Sequence, residues 1–315
     1  MALLVAALVG IALAAPSPAM AEFPEKPIKL VVPFAPGGRS DTTARLLQKV
    51  IEKNHLLAQP IVVVNVPGAG GTIGGRQVKD AEPDGYTIGI WHLGLLTTAA
   101  MEVADYGPDA FDIVAEVGTT APVYAVPEAS PYANLEEFLQ AARDNPDTIR
   151  DASNIGAPVH FVSLLLMEEA GGQLRYIQTG GGSNRLKALL GDHADSSIFD
   201  TSEYARFKDS GIRALVTFWP ERNAQIPDVP TARELGYDVV FESPNWIFAP
   251  KGTPEEVMGV LATAIDQARQ DPEIVEAFEN QGVLNNFKSG AEVEAELPAM
   301  FEQLKAVASK IGKDS

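Results

Sequence analysis

Glycine-rich segments that follow apolar runs hold most of the residues that could do chemistry in this sequence. Each of these segments leads into a pattern typical of a helix N-terminus. Backbone N–H groups at a helix N-terminus bind anions, because they are unpaired and lie at the positive end of the helix dipole. Glycine lets a ligand approach the backbone closely. The segments are 36–41, 68–72, 153–160 and 179–183.

These segments predict an anion site in which most donors are backbone amides. The candidate amide donors are Gly37, Gly38, Ser40, Gly70, Gly71, Thr72, Gly156, Ala157, Thr179 and Gly180. Arg39 is the one cation in the four segments, and it either pairs with a second carboxylate or is a solvated loop residue. Asp41 is a candidate too, although we expect it to cap the helix or organise the loop. The weaker side-chain candidates are His92, Asn154, His160 and Asp200.

Signatures of catalysis, cofactors and metals are missing or incomplete. The sequence has no cysteine, which excludes disulfides, thiolate zinc sites and thiol nucleophiles. Its four histidines are isolated in sequence, so no metal-binding pair is formed. Ser183 lacks the second glycine of a nucleophile elbow. The glycine-rich run 68–74 has Ile73 where a dinucleotide fingerprint needs its third glycine. We therefore predict a protein without catalysis, cofactor or bound metal.

The charge balance argues against polyanionic partners. Lys and Arg number 24 against 42 Asp and Glu, which gives a formal net charge of −18. Such a surface repels phosphate backbones and anionic lipid headgroups. We therefore expect neither nucleic-acid binding nor insertion into a membrane, and any bound anion must be held by local donors.

The first 21 residues have the pattern of a secretory signal peptide. An apolar run extends from Ala2 to Ala15, and the later sequence Ala19-Met20-Ala21 fits the rule for signal-peptide cleavage. The run is shorter than the roughly 20 residues that a transmembrane helix needs. We expect export of the protein, with cleavage after Ala21.

Short β-rich runs alternate with helical patterns along the chain, which predicts an α/β fold with parallel strands. The first strand is expected at 28–32, followed by a helix with Ser40 or Asp41 as its N-cap. Two lobes fit the number of strands better than one large sheet. We assign residues 22–122 and 243–315 to lobe one and 123–242 to lobe two, with a hinge at the two crossings. The helices expected after residue 255 have no predicted strand among them.

Several motifs, taken in order, resemble one family. PIKLVVPFAPGG (27–38) is followed by QPIVVVN (59–65), PGAGGTIG (67–74) and PDGYT (83–87). IPDVPT (226–231), WIFAP (246–250) and GTP (252–254) come later. Together they are similar to the extracytoplasmic solute-binding proteins of tripartite tricarboxylate transporters, the Bug receptors. The resemblance spans nearly all of residues 24–310.

This resemblance implies a two-lobed periplasmic binding protein of the clam-shell type. It would close on a small organic acid, deliver it to a membrane permease of the transporter, act without catalysis and work as a monomer. Lobe two departs from the family pattern, since Ala157 stands where a hydroxyl is usual and Thr179-Gly180 replaces a Lys-Gly pair. Two alternatives are a receptor of another clam-shell class, ABC or TRAP, and a secreted hydrolase or lyase.

Overall fold

Two mixed β-sheets organise the computed structural model, which describes residues 23–311. The predicted signal peptide and its cleavage site lie outside the described residues. In chain order, the strands are β1 (Ile28–Val32), β2 (Ile61–Asn65), β3 (Thr87–His92), β4 (Phe111–Thr120), β5 (Pro122–Pro127), β6 (Arg150–Ser153), β7 (Arg175–Gln178), β8 (Ser196–Asp200), β9 (Ile212–Thr217), β10 (Ser243–Pro250) and β11 (Leu284–Ser289).

Helices pack around both sheets. They are α1 (Arg39–Lys53), α2 (Thr72–Lys79), α3 (Gly94–Ala100), α4 (Leu135–Asp144), α5 (Pro158–Ala170), α6 (Gly182–Leu190), α7 (Thr201–Phe207), α8 (Glu255–Arg269), α9 (Pro272–Gln281) and α10 (Gly290–Ile311). Within residues 23–311, no helix combines the length and the apolar character that crossing a membrane requires.

The first sheet has six strands in the order β11-β4-β10-β3-β1-β2. The β-branched sequence of β1 is almost fully buried, and this strand pairs in parallel with both β2 and β3. Strand β10 returns antiparallel between β3 and β4. Because β1, β2 and β3 are parallel, their carboxyl ends lie at one edge of the sheet.

The second sheet has five strands in the order β7-β6-β8-β5-β9. Its parallel part is formed by β6 with β7 and β8, while β5 pairs antiparallel with β8 and β9. The chain enters this sheet where Thr120 ends β4 and Pro122 begins β5. It returns through residues 218–242 to β10. Our exact division into 22–122, 123–242 and 243–315 stays a prediction, since a sheet assigns strands to a lobe but not the segments between them.

Helix α10 joins the apolar interiors of the two sheets. One buried cluster contains Trp91 beside β10, Phe138 and Phe161 of the second sheet's helices, and Leu297 and Leu304 of α10. Residue contacts also link α10 to α3 and to α5. The two lobes are therefore connected by a shared apolar surface as well as by the two chain crossings.

Two expectations about single elements are wrong. Gly38 is the N-cap of α1, two residues before Ser40 and three before Asp41, the two predicted caps, and Asp41 lies inside the helix's first turn, where it accepts the Gly37 N–H. A strand, β11, lies among the last helices, where none was expected. Its sequence LNNFKS is mostly polar and it pairs only with β4, as an edge strand does.

Candidate functional site

The candidate residues of both lobes lie where parallel strands end and helices begin. In the first sheet, β1, β2 and β3 end at Val32, Asn65 and His92, and α1, α2 and α3 follow. In the second sheet, β6, β7 and β8 end and α5, α6 and α7 follow. Ligands of open α/β sheets bind outside the carboxyl ends of the strands. The charges of Asp200 and Glu203 act on Arg39 across the lobes, so the two edges face one cleft.

The start of α1 offers unpaired donors. Its N-cap, Gly38, has no side-chain capping bond, and the N–H groups of Gly38, Arg39 and Ser40 have no partner in the described part of the chain. The predicted donor Gly37 is already used, because its N–H donates to Asp41 Oδ2 at 2.9 Å. Three adjacent amides at the positive end of α1 can therefore receive a carboxylate.

Asp41 organises this loop from within. Its carboxylate accepts hydrogen bonds from Gly37, from Arg45 Nε at 3.1 Å and from Asn65 Nδ2 at 2.8 Å. Burial raises the pKa of Asp41, but these hydrogen bonds outweigh burial and hold it below its ordinary value. These contacts agree with the expectation that Asp41 organises the loop. A contact between Asp41 and the ligand stays a prediction.

Arg39 brings a positive charge to the cleft. Its guanidinium donates to Ser243 O at 2.7 Å and to Ser243 Oγ at 3.0 Å, at the start of β10. It forms no ion pair within 4.0 Å among residues 23–311. Burial lowers the pKa of Arg39, and Asp200 and Glu203 oppose this through space. A guanidinium has five N–H donors, so three remain for a ligand.

The loop before α2 uses most of its own amides. The Gly71 N–H donates to Gly68 O at 2.9 Å, and the Thr72 N–H donates to Ala69 O. Both bonds belong to a short 3-10 turn at Ala69–Gly71. This corrects the prediction that Gly71 and Thr72 supply free donors. Gly70 keeps an N–H without a partner in the described residues.

The predicted lobe-two donors are also largely used within the protein. The Gly156 N–H donates to His160 Nδ1 at 3.2 Å, the Ala157 N–H to Asn154 O at 2.9 Å and the Thr179 N–H to Ser153 O at 2.8 Å. The Asn154 side chain accepts a bond from Gln178 Nε2 at 3.0 Å. These bonds hold the loops in shape. The prediction that Gly156, Ala157 and Thr179 supply free amide donors is therefore wrong.

The start of α6, within the predicted segment 179–183, supplies three amide donors besides the predicted Gly180. Gly181 is its N-cap, and the N–H groups of Gly180, Gly181, Gly182 and Ser183 have no partner in the described chain. Gly180 was among the predicted donors, whereas Gly181, Gly182 and Ser183 were not. The run of three glycines before the helix is the signal that could have identified these amides.

Arg185 holds the start of α6 in place. It is 4% exposed, donates to Gly180 O at 2.8 Å and pairs with Glu203 at 2.8 Å. Burial raises the pKa of Glu203, and the charge of Asp200 adds to this while Arg185 opposes it. A buried cation thus holds the glycine segment at the Gly180 carbonyl, while the N–H groups of the segment stay without a partner in the described chain.

Asp200 caps the N-terminus of helix α7. Its Oδ1 accepts the Glu203 N–H at 2.8 Å, and the two residues form a capping box at the start of α7. The charge of Asp200 also acts on Arg39 and His92, so this carboxylate lies near the cleft while it caps α7. Its contact with the ligand stays a prediction.

The two candidate histidines are neutral near pH 7. His92 stacks on Phe34 with ring centroids 4.8 Å apart, and burial, followed by the charge of Arg39, lowers its pKa to about 3. His160 is 3% exposed and lies edge-on to Tyr176 at 4.5 Å, and burial lowers its pKa to about 4. Within residues 23–311, no three metal-ligating side chains are grouped to hold a metal ion.

Comparisons with known proteins agree on one family. The family model for the tripartite tricarboxylate transporter family receptor matches residues 43–305. A Pseudomonas protein, named UPF0065 protein in tcbD-tcbE intergenic region, is 34% identical over 267 residues, covering 83% of this chain and 79% of that protein.

Solved structures show the same fold. The periplasmic binding protein BugD has a TM-score of 0.79 and 31% identity, covering 92% of this chain and 99% of BugD. MatC from Rhodopseudomonas palustris, solved with bound malate, has a TM-score of 0.79 and 28% identity, covering 91% of this chain and 100% of MatC. The predicted two-lobed clam-shell fold is confirmed.

Proposed function

This chain belongs to the tripartite tricarboxylate transporter receptor family, and from that membership we propose that it binds a small organic carboxylate between its lobes and delivers it to the transporter's membrane permease. The family consists of receptors, so the prediction of a protein without catalysis is confirmed. The same membership separates the chain from the ABC and TRAP receptors and from a secreted hydrolase or lyase.

One observation carries the carboxylate proposal. The unpaired N–H groups of Gly38, Arg39 and Ser40 lie beside a guanidinium that has no carboxylate partner within the described residues. This arrangement supplies both amide donors and a local positive charge in a protein of net charge −18. Such a site attracts an anion, although the net negative charge of the protein repels anions at long range.

The second lobe completes the proposed site from the opposite side. The free amides at Gly180–Ser183 point to a second group of donors at the start of α6. Two sets of donors, one on each lobe, suit an acid with two carboxylates. MatC, a relative in fold, was solved with malate, a dicarboxylate, which supports this choice of ligand class.

Family membership supports a proposal for location, partner and assembly, and the cleavage pattern supports one for the mature start. We propose that the mature chain begins at Glu22, acts in the periplasm as a monomer and meets the permease there.

A panel of acids tests the binding proposal. Malate, succinate and adipate, with a monocarboxylate such as butyrate, should be screened by thermal shift and confirmed by calorimetry. A ligand at about 100 times its dissociation constant should stabilise the protein by roughly 2.7 kcal/mol. Stabilisation by the dicarboxylates alone is the expected result, and a panel without any effect would reject carboxylate binding.

A further inference from the structure

Two histidines, one in each sheet's set of loops, accept glycine amides in the same way. The Gly94 N–H donates to His92 Nδ1 at 2.9 Å, and the Gly156 N–H donates to His160 Nδ1 at 3.2 Å. A ring nitrogen that accepts a hydrogen bond carries no proton. A neutral ring held in this way therefore has its proton on Nε2.

The surroundings keep both rings neutral. Burial lowers the pKa of His92 most, Arg39 at the start of α1 lowers it further, and Asp200 before α7 opposes them. Burial alone lowers the pKa of His160, whose ring packs against Tyr176 of β7. Each ring therefore presents an uncharged N–H group at neutral pH.

The two Nε2 atoms remain available. Neither has a hydrogen-bond partner within residues 23–311, and neither is among the partnerless polar atoms sealed from solvent in that part of the chain. His92 lies next to charges from both lobes. The loop of His160 faces lobe one, since a Cβ on Gly156 would lie 3.8 Å from Met101 Cγ.

We propose that His92 and His160 are paired neutral Nε2–H donors, one from each lobe, that bind ligand oxygens and select the acid. The proposal rests on the carboxylate-receptor function proposed above. Since both Nδ1 acceptors are used by glycine amides, neither ring can accept a hydrogen bond from a ligand. At these two positions the cleft should therefore take carboxylate oxygens and reject ammonium groups. A short dicarboxylate fits this requirement, and the corresponding amino dicarboxylate does not.

The tautomer can be measured without any ligand. Nitrogen-15 NMR of the imidazoles at pH 7 should show His92 and His160 protonated at Nε2 only. His55 and His193 are exposed and serve as internal references. A proton on Nδ1 of either cleft histidine would overturn the proposal, whether or not the protein binds an acid.

Two matched substitutions separate the two ring nitrogens. An asparagine side chain reaches the Nδ1 position and can still accept the glycine amide, but it lacks the Nε2 donor. A glutamine side chain reaches the Nε2 position and can still donate. We expect His92→Asn and His160→Asn each to weaken succinate binding about 5- to 10-fold. His92→Gln and His160→Gln should bind more tightly than the asparagine variants.

The choice of probes makes the outcomes distinct. Succinate and aspartate differ by one ammonium group, so calorimetry with both tests the predicted rejection. His193→Gln is the control and should bind succinate like the unaltered protein. If the unaltered protein binds succinate but the asparagine variants bind equally well, the histidine proposal fails and the receptor function stands. If the unaltered protein binds no carboxylate, both proposals fail.

Discussion

Arg39 is the residue at which the sequence left two interpretations open. A solvated loop arginine would be exposed and free, but this guanidinium is held by Ser243 and influenced by Asp200 and Glu203 across the cleft. A partly buried cation without a carboxylate partner carries a desolvation cost that a bound anion offsets. The structure thus favours a binding role for Arg39.

Replacing Arg39 should weaken the binding of dicarboxylates selectively. Arg39→Ala is expected to cost about 1.5–3 kcal/mol for succinate, the value of a hydrogen bond to a charged group. Calorimetry measures this loss. Arg175→Ala removes an exposed arginine of β7 and serves as control. Equal affinities for succinate in the Arg39→Ala and unaltered proteins would show that the guanidinium does not touch the ligand.

Asp151 gives the protein a pH-dependent stability. Burial raises its pKa to about 7, although hydrogen bonds from Tyr124 and Ser196 oppose the shift. The unfolded chain has the ordinary pKa near 3.9, so the folded state binds the proton more tightly. Stability from this group is present below about pH 4 and is lost as pH rises through 7, at up to about 1.4 kcal/mol per pH unit.

The Asp151→Asn variant should lack this loss, because an amide stays neutral at every pH. Between pH 5 and 7.5, the Tm of the unaltered protein should fall relative to that of the variant in calorimetric scans. Asp209→Asn, at an exposed position of the same lobe, should follow the unaltered protein. Parallel curves for Asp151→Asn and the unaltered protein would contradict the assignment.

Among the elements, the N-terminus of α1 is the most direct test of amide binding. A Cβ built on Gly38 meets only Ala35 O, at 3.8 Å, and the φ of −80° suits any residue. Gly38→Val should therefore fold normally while its branched side chain blocks a carboxylate from the amides. We expect binding of succinate to be abolished, with a small change in Tm.

A matched glycine supplies the control for this test. Gly259 lies exposed on α8, and a Cβ there meets nothing within 4 Å. Gly259→Val should leave binding unchanged. Normal binding by a folded Gly38→Val protein would move the anion site away from α1. Gly181→Val, also with open space around the Cβ, applies the same test to α6.

Strands and helices were predictable from the sequence where a clear apolar period marks them. Strand β1 was predicted at 28–32, the bounds that the structure gives. Strand β4 has no such period because Glu116 and Gly118 interrupt its apolar run, yet Glu116 is buried beside Trp246 and Asn286. That burial comes from neighbours distant in sequence, which a local pattern does not contain.

The site was predictable only to the level of its loops. Glycine after a strand identifies a turn before a helix, and this located the segments of both lobes. Whether an amide in such a turn is free depends on its own hydrogen bonds. Gly71 and Gly156 donate inside the protein while Gly38 and Gly181 do not. No feature of the sequence distinguishes these two pairs.

At the scale of the whole molecule, a cavity lies where α5, α10 and the returning crossing meet. This cavity of about 200 Å³ separates Leu165 of α5 from Leu304 of α10, and Pro244 at the returning crossing also lines it. Because α10 packs on both lobes, we expect closure of the cleft on a ligand to change the contact between α10 and α5.

Closure of the cleft should therefore change both the overall shape of the protein and the fluorescence emission of one tryptophan. Trp91 is the penultimate residue of β3, lies next to the cleft, is fully buried and has an Nε1 without a hydrogen-bond partner in the described residues. Trp219, in contrast, donates to Thr201 Oγ1 at 3.1 Å in lobe two. Succinate, or whichever acid the panel identifies, should lower the radius of gyration in small-angle scattering and change the emission of Trp91. The emission change should disappear in Trp91→Phe and persist in Trp219→Phe. Binding that calorimetry confirms but that leaves scattering and emission unchanged would exclude closure as the response to the ligand.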